Sequence, residues 1–483
     1  MLFNSFEFAV FLPCVFFLYW FCAAKNIKLQ NSLIVVSSYF FYGWWDYRFL
    51  ILILISTLED FFVALKIYKT NDEKKRKLWL LISIAVNIGI LGFFKYYNFF
   101  IENFAAVFTI FGISPNIKSL NIILPVGISF YTFQTMSYTI DVYKRKIEPT
   151  RDFISFAAFV SFFPQLVAGP IERAANLLPQ FHVKREFNYE QAVDGMRQIL
   201  WGLFKKIVIA DSCANYVNNV FSNYQNMPGS TLFLGAVFFA FQIYGDFSGY
   251  SDIAAGTGKL LGFRLIRNFN YPYFSRDIAE FWRRWHISLT TWFRDYVYIP
   301  LGGSHGSKIQ IIRNTFIIFL ISGFWHGANW TFIIWGAIHA ILFLPLILSG
   351  KNRKYTNTVA CNGFLPNIKE IIQMCSTFFL VLVGWIFFRS ESIGKAFLYF
   401  SGMFNKSLFS LSLLNEKKEA LLIFILIIVM LIMEWLGRKE HFCLSKLGLN
   451  WAKPFRLAMY LLISSFILMF IKTEGTPFIY FQF

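Results

Sequence analysis

Apolar runs close to the length of a membrane crossing recur along this chain: Phe6 to Ala24, Phe49 to Ile67, Leu78 to Phe94, Ala420 to Leu436 and Phe455 to Ile471. A helix needs about 20 such residues to cross a hydrocarbon core, and the strict alternation that a lipid-embedded barrel requires does not accompany them. Composition agrees. Of the 483 residues, 57% are hydrophobic, 20% aromatic and only 15% charged, so most of the surface must face something other than water. The expected fold class is an all-α polytopic membrane protein with roughly ten to thirteen embedded helices.

No positive charge precedes the first apolar run, whereas Lys25 and Lys28 follow it, the reverse of a cleaved signal peptide. The run is expected to be a retained first helix with its N-terminus outside, because positive flanks stay cytoplasmic. The next basic cluster, Lys69 with Lys74, Lys75, Arg76 and Lys77, comes two spans later and falls on the same face. The net charge of +18 would suggest nucleic acid in a soluble protein. Here the basic residues sit in short loops, so topology and anionic membrane lipid account for them and no nucleic-acid partner is expected. Cys14, Cys22, Cys213, Cys361, Cys375 and Cys443 lack CxxC spacing and read as small buried hydrophobes, not disulfides or metal ligands.

Three stretches of one integrated domain follow: N-terminal transmembrane helices over 1–120, a core over 121–345 and C-terminal transmembrane helices over 346–483. In the core, charged and glycine-rich segments interleave with apolar ones, tolerable at membrane depth only inside protein or along a cavity. From Phe281 to Asp295, helical spacing puts Trp282, Trp285, His286, Leu289 and Phe293 on one face. Arg283, Arg284 and Arg294 are too costly for a lipid-facing span, so an interfacial or re-entrant helix with its aromatic face turned inward is expected. From Tyr244 to Gly256, small residues would allow close helix packing, and Asp246 and Asp252 need partners.

Soluble-enzyme motifs fail. Gly256-Thr257-Gly258-Lys259-Leu260 lacks the first glycine and the hydroxyl of a phosphate loop. In Gly245-Asp246-Phe247-Ser248-Gly249 the serine comes one position late for a nucleophile elbow. There is no HExxH and no close pair of histidines, so no protein-built metal site is expected. Among the histidines, His182, His305 and His441 lie beside basic or glycine-rich loops and read as solvated. His326 lies between apolar runs, where an ionisable side chain is expensive and by default functional. A core histidine holding two helices together is the competing reading. His339 follows it by 13 residues, about 220° around a straight helix, and is expected to face elsewhere as a hydrogen-bonded structural residue.

Three segments taken in order closely resemble the membrane-bound O-acyltransferase family, in its alginate O-acetylation branch. They are Trp282-Arg283-Arg284-Trp285-His286-Ile287-Ser288-Leu289, Trp292-Phe293-Arg294-Asp295-Tyr296 with Pro300-Leu301-Gly302-Gly303, and Phe324-Trp325-His326-Gly327-Ala328-Asn329-Trp330. Phe163 to Arg173, Asp246 to Asp252 and Gly384 to Arg389 add to the likeness, which runs along nearly the whole chain. The resemblance implies a ring of tilted transmembrane and re-entrant helices around a central tunnel. It makes His326 the catalytic histidine and His286 its partner, with Trp282, Trp285, Trp325, Asp246, Ser248 and Asn329 along the tunnel.

The resemblance further implies a donor substrate, acetyl-CoA, taken from the cytoplasm, with no tightly bound cofactor and no metal. Acetyl would pass outward across a bacterial cytoplasmic (inner) membrane to a polysaccharide such as alginate, with a separate extracytoplasmic acetyltransferase completing the transfer. Competing acceptors are peptidoglycan or another exopolysaccharide, or teichoic acid receiving D-alanine. From other classes come a transporter that relays protons through His286 and His326, and a scaffold for polymer secretion. Acetyl transfer lost with His326 separates the enzyme from both.

Overall fold

The computed structural model describes residues 1–112, 119–410, 417–472 and 478–479. These are helical, with no strand among them. Among them, seven helices are long and apolar enough to cross a membrane: Glu73–Ile110, Gly229–Leu260, Lys308–His326, Trp330–Leu348, Ile368–Arg389, Lys418–Leu436 and Lys453–Phe470. The chain is a multi-pass membrane protein. Seven is fewer than the ten to thirteen expected because other candidates are short or polar. Phe6–Phe17 has 12 residues, and Leu50–Lys69 carries Glu59, Asp60 and Lys66 within its apolar run.

Two compact units are present. The first comprises residues 1–192 and 257–265. Polar side chains in it tie three helices together: buried Asp60 accepts from Ser83 Oγ at 2.6 Å and from Asn87 Nδ2 at 3.0 Å, while Asn87 Oδ1 accepts from Ser56 and Thr135, each at 3.2 Å. Between helices in lipid such bonds replace the hydrophobic drive that is absent there.

The second unit comprises residues 193–256 and 266–483 and holds the candidate site. Its Tyr244–Gly256 segment packs as closely as its small residues allow. A Cβ on Gly249 would lie 2.8 Å from the Gly202 carbonyl oxygen, and one on Gly256 2.5 Å from that of Gly195. Both aspartates find cations on a widened π turn, Phe204–Ala210. Lys206 Nζ lies 2.7 Å from Asp246 and 2.8 Å from Asp211, and Lys205 Nζ 2.5 Å from Asp252. The Lys308–His326 and Trp330–Leu348 helices pair through glycines: a Cβ on Gly323 would meet the Phe332 carbonyl oxygen at 2.2 Å, and one on Gly336 that of Phe319 at 2.3 Å.

The cysteines are all free, but only Cys213 and Cys443 are buried. Cys14 and Cys22 lie exposed on or beside the first helix, and Cys361 and Cys375 are exposed too. An apolar run contains an outward face as well as an inward one, which run-level reading cannot separate.

Candidate active site

The Phe281–Asp295 segment buries the expected face: Trp282, Trp285, His286, Leu289 and Phe293 are all buried. It is not one helix, however. Ile278–Arg284 and Ile287–Phe293 are separate short helices, and the chain breaks between them at His286, whose φ of 42° is left-handed. A non-glycine residue is rarely held there unless its surroundings compel it. Asn268 supplies that compulsion. Its carbonyl accepts the Ile287 N–H at 2.9 Å, and its side-chain Oδ1 accepts the Ser288 N–H at 3.3 Å and the Ser288 hydroxyl at 2.9 Å. The start of the second helix is thus capped from a distant part of the chain.

That arrangement also fixes the His286 tautomer. Asn268 Oδ1 lies 3.1 Å from His286 Nδ1, and Asn268 Nδ2 donates to Ser251 Oγ at 3.0 Å. An atom that accepts a backbone N–H must be the carbonyl oxygen, so the imidazole nitrogen facing it carries the proton. Nε2 is then the lone-pair nitrogen. Burial lowers the His286 pKa from 6.5 to about 3, so the ring is neutral at working pH. Phe247 meets it edge-on with centroids 4.5 Å apart.

Arg283 and Arg284 find partners inside the protein, whereas Arg294 is exposed and pairs with Asp295 at 2.8 Å. Glu280, itself buried, takes Arg276 at 2.9 Å and Arg284 at 2.7 Å, and Arg283 donates to the Tyr355 carbonyl at 2.7 Å. Two guanidinium groups on one carboxylate brace the short helix that carries Trp282.

His326 ends its helix, and the chain reverses through Gly327 and Ala328 to Asn329. Asn329 Oδ1 caps the next helix by accepting the Thr331 N–H at 3.0 Å, and its Nδ2 donates to the Glu391 carbonyl at 3.0 Å. Trp325 joins the two histidines: its ring lies 4.9 Å from His326 and 6.0 Å from His286. Trp335 and Phe388 close the other sides of His326 at 5.0 and 5.3 Å. Trp285 meets Trp385 at a tilt, with centroids 5.0 Å apart, and Trp385 in turn stacks on Trp335 at 6.0 Å.

His339 departs from expectation. The straight-helix projection that sent it away from His326 fails because the chain turns back at Gly327, and both rings lie 5.0 Å from Trp335. Nor is it hydrogen-bonded: neither ring nitrogen has a hydrogen-bond partner among the described residues.

Asp246 and Ser248 flank Phe247, the residue of their helix that touches His286. Asp246 itself pairs with Lys206 and accepts the Ile479 N–H at 2.6 Å. Ser248 is buried without a hydrogen-bond partner among the described residues. Sequence reasoning did not single out Asn268, Trp335 or Trp385. Trp385 stood in the Gly384–Arg389 match without a role, and a lone asparagine in a loop between two helices carries no periodic signal.

A cavity of about 250 Å³ opens at Trp282; neither His286 nor His326 lines it. Its wall includes Ser322, one helical turn before His326, and Trp282, together with Arg283, Arg294 and Arg353. A neutral imidazole lone pair, a second buried histidine and an aromatic wall can move a proton to or from a hydroxyl.

Residues 142–378 match the family model of MBOAT, the membrane-bound O-acyltransferase family. The chain is 38% identical to a probable alginate O-acetylase of Pseudomonas putida over 100% of both chains. It is 36% identical to a peptidoglycan O-acetyltransferase of Helicobacter pylori over 87% of this chain and 82% of that one. To a teichoic acid D-alanyltransferase of Bacillus subtilis it is 28% identical over 57% of this chain and 71% of that one. Likeness at this level along the full length leaves one assignment: this chain is a member of the membrane-bound O-acyltransferase family, and an acyltransferase.

Proposed function

We propose that the protein takes acetyl from acetyl-CoA and passes it outward for O-acetylation of an extracytoplasmic polysaccharide, with His326 as general base for attack by the acceptor hydroxyl. The observation that carries this reading is the contact of two buried histidines with one indole, Trp325, near a cavity with arginines in its wall. His326 removes the proton of the acceptor hydroxyl as its oxygen attacks the thioester carbonyl carbon. The tetrahedral intermediate collapses, the C–S bond breaks, and the proton passes from His326 to the departing thiolate. The products are an acetyl ester and a free thiol.

His286 has a narrower task than its sequence allows on its own. With Nδ1–H committed to Asn268, Nε2 accepts a hydrogen bond and does not donate one, so His286 orients the acceptor hydroxyl and not the carbonyl oxygen. Trp282, Trp285 and Trp325 exclude the water that would hydrolyse the thioester. The acceptor in this reading is an alginate-like polymer, a choice supported by likeness to the Pseudomonas putida relative, and a bacterial inner membrane with an extracytoplasmic acetyltransferase partner is the setting. The Helicobacter pylori relative makes peptidoglycan the second acceptor to assay. Reconstituted protein given labelled acetyl-CoA and each polymer should label one of them. Label on neither polymer, nor on any added partner, overturns the reading.

A further inference from the structure

The helix Ile368–Arg389 ends in a half-buried guanidinium with no carboxylate at ion-pair distance among the described residues. Its one hydrogen bond there goes to a neutral group, Asn218 Oδ1 at 2.8 Å, and its flat face lies over the Phe221 ring at 5.6 Å. Glu391, two residues on, pairs instead with Lys395 of the next helix, Ile393–Met403. A cation half withdrawn from water without a counter-charge is costly. An anion would supply both the charge and the hydrogen-bond acceptors that this arginine lacks.

Arg389 lines a cavity of about 140 Å³ together with Ser222, Tyr224, Glu391 and Lys395. The cavity lies just beyond His326. Phe388, the residue before Arg389, meets the His326 ring at 5.3 Å, and Asn329 Nδ2 donates to the Glu391 carbonyl at 3.0 Å. The Trp282 cavity instead opens toward the opposite end of the helices, at Asn352 and Arg353. Loop charge tells which end is outside. Lys351, Arg353 and Lys354 lie in one short loop and Arg438, Lys439 and Lys446 in another, and Lys439 Nζ donates to the Cys361 carbonyl at 3.0 Å, so the two loops share an end. At the Arg389 end the turn 327–329 has no lysine or arginine, and 390–417 has only Lys395, Lys406 and Lys417 over a longer stretch. Positive loops stay cytoplasmic, so the Arg389 end faces outward.

We infer that this outer cavity is a subsite for one uronate residue of the acceptor polymer, its carboxylate held by Arg389. The planar fork of a guanidinium matches a carboxylate bidentately. The rest of the wall suits the other groups of an acidic sugar: Ser222 and Tyr224 offer hydroxyls, and the Glu391 carboxylate accepts from sugar hydroxyls. That same carboxylate would repel an acidic peptide. At roughly 30 Å³ per water, 140 Å³ admits a carboxylate and the ring atoms next to it, with the remaining ring in the open mouth. A polyuronate repeats this group at every residue, so a pocket for one residue can seat the polymer anywhere along its length beside His326. The inference rests on acetyl leaving outward for an acidic polysaccharide, and it ties the choice of that acceptor to one side chain.

The test is calorimetric binding to the purified full chain in detergent, without acyl donor, of a short oligomannuronate and of the same oligomer with its carboxylates reduced to alcohols. The acidic oligomer should bind at least about tenfold more tightly, and the difference should shrink as salt is added. Arg389→Gln should remove most of that difference, and Arg389→Lys, a point charge without the fork, should recover part of it. Ser222→Leu, at an exposed position where the larger side chain fills the cavity, should weaken the acidic oligomer in a chain that keeps its thermal midpoint. Equal binding of the two oligomers, or binding of neither at millimolar concentration, overturns the inference. An Arg389→Gln chain that keeps the acidic oligomer but no longer holds an extracytoplasmic partner gives the site to a protein and overturns it as well. Preference for the acidic oligomer in a chain that transfers no acetyl from acetyl-CoA would leave the subsite standing and sink the acetyl-transfer reading.

Discussion

Asn268 Oδ1 accepts the proton of His286 Nδ1 at 3.1 Å while accepting the Ser288 N–H as well. One side chain thereby holds His286 in a left-handed backbone position, sets its tautomer and caps the helix that follows. Asn268→Ala should cut kcat by roughly 10- to 100-fold, a part of the ~10²–10⁴ that general acid–base catalysis supplies. Asn268→Asp separates positioning from chemistry. A carboxylate facing Nδ1 favours the imidazolium, so the acid limb of the pH–rate profile should move up by about a unit. An unmoved limb in Asn268→Asp would show that the asparagine only shapes the backbone.

Stability should respond to acid through His286. Burial lowers its pKa to about 3 from the 6.5 of an unfolded chain. Between those values the unfolded chain binds a proton that the folded one does not. Stability therefore falls as pH drops from 6.5 toward 3, by up to about 1.4 kcal/mol per pH unit, and is indifferent to this group above 6.5. His286→Gln has no such proton site. Its thermal midpoint in detergent should fall less steeply than that of the unaltered protein between about pH 6 and pH 4, and parallel curves would contradict the assignment.

The glycine contacts of the His326 helix predict a sharp contrast among alanine substitutions. Gly323→Ala and Gly336→Ala each drive a methyl into a backbone carbonyl oxygen, at 2.2 and 2.3 Å, and should cost about 1–3 kcal/mol along with most activity. Gly394→Ala, on the helix Ile393–Met403, meets nothing within 4 Å. It should be neutral or stabilising by up to about 1 kcal/mol. Thermal unfolding of the three variants side by side checks the ranking.

Lys206 is buried between Asp211 and Asp246. Lys206→Met strands two carboxylates in the interior and should destabilise by about 3–5 kcal/mol, because removing one partner leaves charge uncompensated. Adding Asp246→Asn to Lys206→Met should recover part of that loss. A double variant no more stable than the single one would show that Asp246 is compensated elsewhere.

What the sequence could and could not reveal follows from the kind of signal involved. The membrane class, the buried face of Phe281–Asp295 and the need of Asp246 and Asp252 for partners come from composition, period and cost, which are local quantities. The break at His286 is not local. It depends on Asn268, 18 residues away, whose contribution has no pattern to read. His339 shows the same limit: its angle from His326 is computable only if the helix is continuous, and the reversal at Gly327 puts both rings on Trp335. The Trp-His-Gly segment stood out because charge at membrane depth is rare.

His326 carries the proposed chemistry. The decisive measurement is the initial rate of labelled acetyl transfer from acetyl-CoA by the reconstituted protein, with the unaltered chain and His326→Gln at equal folded concentration. Transfer by the unaltered chain and a loss of at least about 100-fold in the variant is the predicted result. A variant that transfers acetyl at the full rate would contradict the role of His326 as base.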